Sequence, residues 1–167
     1  MHKYKTFVEI LESADREKAV FSSFFKGIKE DISYGTFLDT IRSYPEIKGK
    51  TFAFLGDNSF SSILLLFILA YQKKTIVLLN PLEDEKLRKE KLNSLPFDGR
   101  VKGHQRIPYP NPKENDNKEA YFYFYTSGTT SSSKAVVLTE ENLCASSYNG
   151  SYCLPLTEQD RFLSLLP

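Results

Sequence analysis

Charge of one sign, cysteine, histidine and long apolar runs are all scarce in this sequence, and each shortage excludes something. Lys and Arg number 22 against 21 Asp and Glu, a formal net charge of +1. No global field exists to hold nucleic acid or an anionic membrane, so neither partner is expected and function has to come from a local site. Cysteine occurs twice, as Cys144 and Cys153. Two are too few for a disulfide framework, and the expectation is a pair of reduced thiols in a cytosolic protein. The histidines, His2 and His104, are far apart and near no cysteine cluster, which argues against a metal site built on them. The most apolar run, Ile63 to Tyr71, is much shorter than the ~20 residues a membrane helix needs and reads as a buried helix. The basic start, Met1 to Lys5, runs into Phe7, Glu9 and Glu12 with no apolar stretch between, so no signal peptide is read. Tryptophan is missing altogether, yet aromatics make up 14% of the chain, so Phe and Tyr supply the flat side chains of the core.

What is present suits one globular unit. The chain has 167 residues, 41% of them hydrophobic and 26% charged, enough for a single domain with its own core. Tyr4, Phe7, Val8 and Leu11 have the spacing of an amphipathic helix, and a helical turn is expected from Ser13 to Lys18. Ala19–Phe25 reads as a strand, 27–31 as a polar turn, and Ser33 as the cap of a helix carrying Tyr34, Phe37, Leu38 and Ile41. A clearer rhythm follows. Thr51–Leu55 and Thr75–Leu79 read as strands, each followed by a helix, over 59–72 and 83–93. In the second helix Asp84–Arg88 and Glu85–Lys89 stand at i, i+4 on what reads as a solvated face. Strand–helix–strand–helix order predicts an α/β fold with a mostly parallel sheet flanked by helices. Residues 104–119, rich in Pro, Asn, Lys and Glu, read as a surface loop. The pattern then resumes with strands at Tyr121–Tyr125 and Lys134–Leu138, a helix from Thr139 to about Gly150, and a last strand at Arg161–Leu166.

The stretch with chemistry in it runs from Tyr125 to Thr139. Gly128 and several small residues let backbone N–H groups approach an anion closely. Hydroxyls follow one another from Thr129 to Ser133, with Thr126 and Ser127 before them, and each can donate a hydrogen bond. Lys134 adds a compact positive charge at the exit. This chemistry suits a polyphosphate, although composition alone fits a Ser/Thr-rich turn with no ligand equally well. The P-loop pattern G-x-x-x-x-G-K-[ST] shares the spacing of Gly128 and Lys134. It fails at Ser133 and Ala135, and it must open a helix where a strand is read here. Tyr121–Tyr125 could in principle stack RNA bases, but its aromatics alternate over both faces and no basic residue flanks them, so core is the better reading.

The order of residues resembles the adenylate-forming (AMP-binding) superfamily of acyl-CoA synthetases and adenylation domains. Its common pattern is Y-T-S-G-T-T-G-x-P-K-G-V-x-x-T-H-x-N, matched unbroken from Tyr125 through Thr130 and again at Lys134, Val136, Thr139 and Asn142. Less specific likenesses are Ile32-Ser33-Tyr34 before a helix, the 51–81 stretch ending in Pro81, and 160–167 ending in Leu-Pro. Departures are Ser131 and Ala135 for glycines, Ser133 for proline and Glu140 for histidine, the last placing a negative charge near the phosphate path.

The resemblance implies that 1–167 is a single N-terminal subdomain of that family's large domain, an incomplete adenylation domain with its phosphate-binding loop at 125–139. It implies Thr126, Ser127, Gly128, Thr129, Thr130 and Ser131 as ATP phosphate donors, Lys134 as the phosphate-binding and catalytic cation, and Thr126 facing Mg2+. It implies ATP and Mg2+, a small carboxylic acid, and coenzyme A or a carrier protein's phosphopantetheine as thiol acceptor. Because the family's later segments are not among these residues, 1–167 alone is expected to be inactive. A non-catalytic nucleotide-binding or partner-interaction domain derived from the family is the alternative.

Overall fold

A computed structural model describes residues 4–25, 28–57, 59–103, 105–126, 134–154, 157 and 160. Helix α1 (Phe7–Glu12) leads to the antiparallel pair β1 (Ala19–Phe25) and β2 (Ile28–Ser33), then α2 (Tyr34–Ser43). The order continues with β3 (Thr51–Leu55), α3 (Phe60–Tyr71), β4 (Thr75–Leu78), α4 (Glu85–Asn93), β5 (Gly99–Lys102) and β6 (Gln105–Pro108). It closes with β7 (Tyr121–Thr126), β8 (Lys134–Thr139) and α5 (Glu140–Cys153). Strands β3 to β8 form one sheet in the order β6-β5-β3-β4-β7-β8. The four central strands are parallel, and β6 and β8 are antiparallel edges. The expected mostly parallel sheet flanked by helices is what forms.

Chain direction decides which helix covers which face. From β3 the chain steps through α3 to β4, then back through α4 to β5 on the far side of β3. Right-handed crossovers taken in opposite directions leave the two helices on opposite faces. Period-two alternation sorts the side chains accordingly. Phe52, Phe54, Ile76 and Phe122 join α1, α2 and α3 in the larger core, around Leu38, Ile41 and Ile68. Ala53, Val77 and Leu79 face α4, with Leu92, Leu95, Tyr123 and Tyr125 around them. In β7 the phenylalanines therefore point into the main core and the tyrosines toward α4. A fully buried Phe such as Phe122 contributes roughly 1.5–3 kcal/mol.

The amino edge of the parallel strands is fastened by Asp98. Its carboxylate accepts the backbone N–H groups of Lys50, Thr51 and Lys113 at 2.9, 2.8 and 2.7 Å. Burial pushes this carboxyl up, but the N–H groups of Lys113, Thr51 and Lys50 together outweigh it and hold the group below its ordinary value. Gly49, at φ +109, is needed beside it, because a Cβ there would lie 2.6 Å from that of Asp98.

Several expectations change. Residues 13–18 are turns, not a helical segment, since the Asp15 carboxylate takes the Glu17 N–H and Arg16 lends its carbonyl to Gly35. The turn expected at 27–31 is mostly strand, because β2 finds a complete partner in β1 and pairs with it from Ile28. Strand β5 lacked a clear signal, being only Gly99 to Lys102. Of the stretch read as a surface loop, Gln105–Pro108 pairs with β5 as an edge strand, where a terminal proline is tolerated. Glu85 and Lys89 pair as expected at 2.8 Å. Asp84 instead caps α4, accepting the N–H groups of Lys86 and Leu87, while Arg88 donates to the carbonyls of Pro81 and Glu83. The strand read at 161–166 lies outside the described residues.

Candidate functional site

Strands β3, β4, β5 and β7 end on the same side, the carboxyl edge where open α/β sheets bind ligands. At that edge β3 gives way to Gly56-Asp57, β4 to Leu79-Asn80-Pro81, and β7 to the hydroxyl-rich stretch. Gly56 allows a tight exit, since a Cβ there would lie 2.7 Å from Ser62 Oγ, the acceptor for the Asp57 N–H.

Strands β7 and β8 are the two sides of a hairpin. Tyr125 pairs with Ala135, and Thr126 pairs with Lys134 as the last rung. Residues 127–133 join these ends. Ser127, Gly128, Thr129, Thr130 and Ser131 therefore lie outside the described residues, and only Thr126 and Lys134 of the expected phosphate ligands are placed. Both are exposed. The Thr126 hydroxyl donates to the Lys134 carbonyl at 3.3 Å, and Lys134 has no carboxylate partner among the described residues. The rung thus places, at the mouth of the loop, a hydroxyl whose proton is held by the Lys134 carbonyl and an exposed ammonium with no carboxylate partner among the described residues. An exposed ammonium at that place suits a polyphosphate. Lys134 opens a strand, not a helix, which is incompatible with the P-loop pattern.

Glu140 corrects an expectation. It sits at the far end of β8, roughly 20 Å along the strand from Lys134. Its carboxylate accepts the Phe7 N–H at 2.7 Å, tying α5 to the start of α1. The charge is directed away from the carboxyl edge. Burial raises its carboxyl above the ordinary value, the Phe7 N–H opposes this, and Glu9 and Glu119 add to it. A cavity of about 170 Å³ lies between α1 and α5, lined by Tyr4, Ile10, Cys144, Ser147, Tyr148 and Ser151. Burial, then Glu140, Glu9 and Glu141, push the Cys144 thiol up to about 11, so it is no nucleophile at neutral pH. Cys144 and Cys153 are both free.

One constellation at the loop was not anticipated. Lys91, on the charged helix α4, is buried, and its Nζ lies 4.6 Å from the centroid of the Tyr125 ring. The same ammonium pairs with Glu83, while Ser94 Oγ meets the Tyr125 hydroxyl at 3.2 Å. Lys91 follows Leu87 by four residues, but Leu87 is exposed, so the sequence pattern did not mark the burial of Lys91.

Among the described residues no group of three or more His, Cys, Asp or Glu could hold a metal ion, and no helix is long and apolar enough to cross a membrane. Thr126, placed at the mouth, carries a hydroxyl oxygen that could serve a cation.

This sheet, with its edge hairpin, is the architecture of the N-terminal domain of adenylate-forming enzymes. O-succinylbenzoate coenzyme A synthetase of Bacillus subtilis in complex with AMP superposes with a TM-score of 0.63 at 20% identity, over 83% of this chain and 44% of that one. Its complex with an acyl-adenylate intermediate gives the same values, 0.63, 20%, 83% and 44%. The protein IdnL1 gives 0.65 at 16%, over 93% of this chain and 38% of that one. These identities establish likeness of fold, and the chain spans less than half the length of these proteins. No curated protein matches in sequence. The family model described as AMP-binding enzyme matches residues 52–167, and the chain belongs to that family.

Proposed function

We propose that these residues form the nucleotide-gripping part of an ATP-dependent acid ligase. In the reaction a carboxylate oxygen bonds to the α-phosphorus of ATP as the bond to the β-phosphate oxygen breaks, giving acyl-adenylate and pyrophosphate. The thiol of coenzyme A, or of a carrier protein's phosphopantetheine, then takes the acyl group and AMP leaves. The observation that carries the reading is the Thr126–Lys134 rung, closing the hydroxyl loop at the carboxyl edge of a sheet that belongs to this family.

The task assigned to the loop is electrostatic. Thr126, Ser127, Gly128, Thr129, Thr130 and Ser131 would donate to the β- and γ-phosphates, and Lys134 would offset the charge that grows on departing pyrophosphate. Mg2+ would neutralise phosphate charge, with the Thr126 hydroxyl as this chain's contribution to holding it. The carboxylic acid is a small molecule, and the proposed setting is the cytosol, in keeping with two free thiols. The second reading, a nucleotide-binding or partner-interaction domain without catalysis, is favoured by one feature. Ser131 and Ala135 put Cβ atoms where the family pattern has glycine, and Ser133 removes its proline.

Calorimetric titration with Mg·ATP tests the reading. Binding is expected, and Lys134→Ala is expected to weaken it by about tenfold to a hundredfold, the worth of one charge-assisted contact. Equal affinity in the two proteins would remove Lys134 from the site. A pyrophosphate-exchange assay over a panel of carboxylic acids is expected to show no turnover by residues 1–167 alone. Turnover above background would show that this part suffices.

A further inference from the structure

We propose that Lys91 is a positioning residue for the Thr126–Lys134 rung, acting through Tyr125; the inference rests on the nucleotide-binding reading above. The described residues around that rung are mostly exposed. Lys134, Ala135, Val136 and Val137 of β8 are exposed, and Thr126 is exposed as well. Phe124 packs partly against the main core, and Tyr125 packs on the opposite face beside α4. Tyr125 is thus the last packed side chain before the loop, and its backbone pairs with Ala135 next to the closing rung.

Two groups from α4 and its C-cap meet that one ring, and a third, from the lead-in to the helix, holds one of them. The Lys91 ammonium lies over its face at 4.6 Å, Glu83 pairs with the ammonium, and Ser94 meets the phenol oxygen at 3.2 Å. The face of an aromatic ring is its negative side, so a fixed cation there favours one placement of the ring over tilted ones. The ammonium is itself fixed, because it is buried and paired. The second oxygen of Glu83 is buried with no hydrogen-bond partner among the described residues, so the Glu83 charge depends on Lys91 for compensation. Fixing the ring fixes the pitch of the Tyr125 backbone, and hence where Thr126 and Lys134 stand relative to a bound triphosphate.

Lys91 alone cannot be truncated safely, since a lone buried Glu83 would destabilise the fold. The double variant Glu83→Gln with Lys91→Met removes both charges at similar volume and is expected to fold. Hydrogen exchange would be followed with and without Mg·ATP. In the double variant, exchange over 121–126 and 134–139 is expected to quicken about tenfold, with β3 and β4 unchanged, as loss of a desolvated cation–ring contact implies. About tenfold more Mg·ATP should then be needed to protect the hairpin, and Lys91→Arg, which keeps a cation over the ring, should behave as the parent does. Unchanged hairpin exchange in the double variant overturns the anchor. A loosened hairpin with unshifted Mg·ATP dependence, or failure of Lys91→Arg to match the parent, overturns the positioning role. A parent hairpin indifferent to Mg·ATP overturns the nucleotide reading, a signature distinct from both.

Discussion

Glu140 shows how one side chain can be assigned to the wrong end of a strand. Its position in the family pattern is six residues beyond Lys134, yet a strand of that length carries it to the opposite edge of the sheet. There it accepts the N–H of Phe7, one of the donors that the first turn of α1 cannot satisfy internally. Thr6 and Glu9 satisfy others through a capping box, so this six-residue helix is held by its ends. Glu140→Ala should cost about 1–3 kcal/mol in urea unfolding, because it strands the Phe7 N–H. Glu140→Gln keeps an acceptor and should not. The pH dependence follows from the raised pKa. Folded chains hold more protons than unfolded ones between the ordinary carboxyl value and the raised one. This contribution is therefore complete below the ordinary value and is lost as pH rises through the raised one. The Gln variant should lack that downward slope, with Lys5, Glu9, Glu119 and Glu141 as the remaining charges nearby. A slope identical in parent and variant would assign the titration elsewhere.

Helix α3 is the element most fully legible in the sequence. Ser59 accepts the Ser62 N–H as its cap, and Ile68, Leu69 and Ala70 are buried as an apolar run between strands demands. Its exit was less legible. Lys73 adopts φ 57, with its N–H on the Ala70 carbonyl and the Lys74 N–H on that of Leu69. This is a position where glycine is the usual residue. Lys73→Gly should raise stability by about 0.5–1 kcal/mol in urea unfolding, since the left-handed conformation is strained for a residue with a Cβ. A loss would mean that the Lys73 side chain makes a contribution its exposure does not suggest. Helix α4 has the opposite history. Its charged sequence is that of a solvated face, and Glu85 and Lys89 behave so. Lys91 does not, because the partner that makes its burial tolerable, Glu83, lies outside the helix. Strands β5 and β6 escaped notice for a related reason. Four residues such as Gly99-Arg100-Val101-Lys102 alternate, but over too short a run to stand out, and pairing with β3 supplies what so short a pattern lacks.

Across the whole molecule the two edges of the sheet have different work. The amino edge is closed by Asp98, Gly49 and the 113–117 segment, where Asn115 donates to the Gln72 carbonyl and Asn117 to Thr75. At the carboxyl edge one rung carries the Thr126 hydroxyl and an exposed Lys134 ammonium that has no carboxylate partner among the described residues. Tyr125 through Thr130 made the loop recognisable because backbone approach and hydroxyl donation depend on residue type along a continuous run. The anchoring of that loop was not recognisable, because Glu83, Lys91 and Ser94 are brought to Tyr125 only by the crossover that places α4 against the sheet. The central claim is that the mouth closed by Thr126 and Lys134 receives a nucleotide triphosphate. Backbone amide shifts of residues 1–167, followed during titration with Mg·ATP, test it most directly. Saturable shifts concentrated between 126 and 134, with smaller ones at Asn80 and its neighbours and all of them lost in Lys134→Ala, are the expected result. Shifts confined to the α1–α5 cavity or the amino edge, or none anywhere, would contradict it.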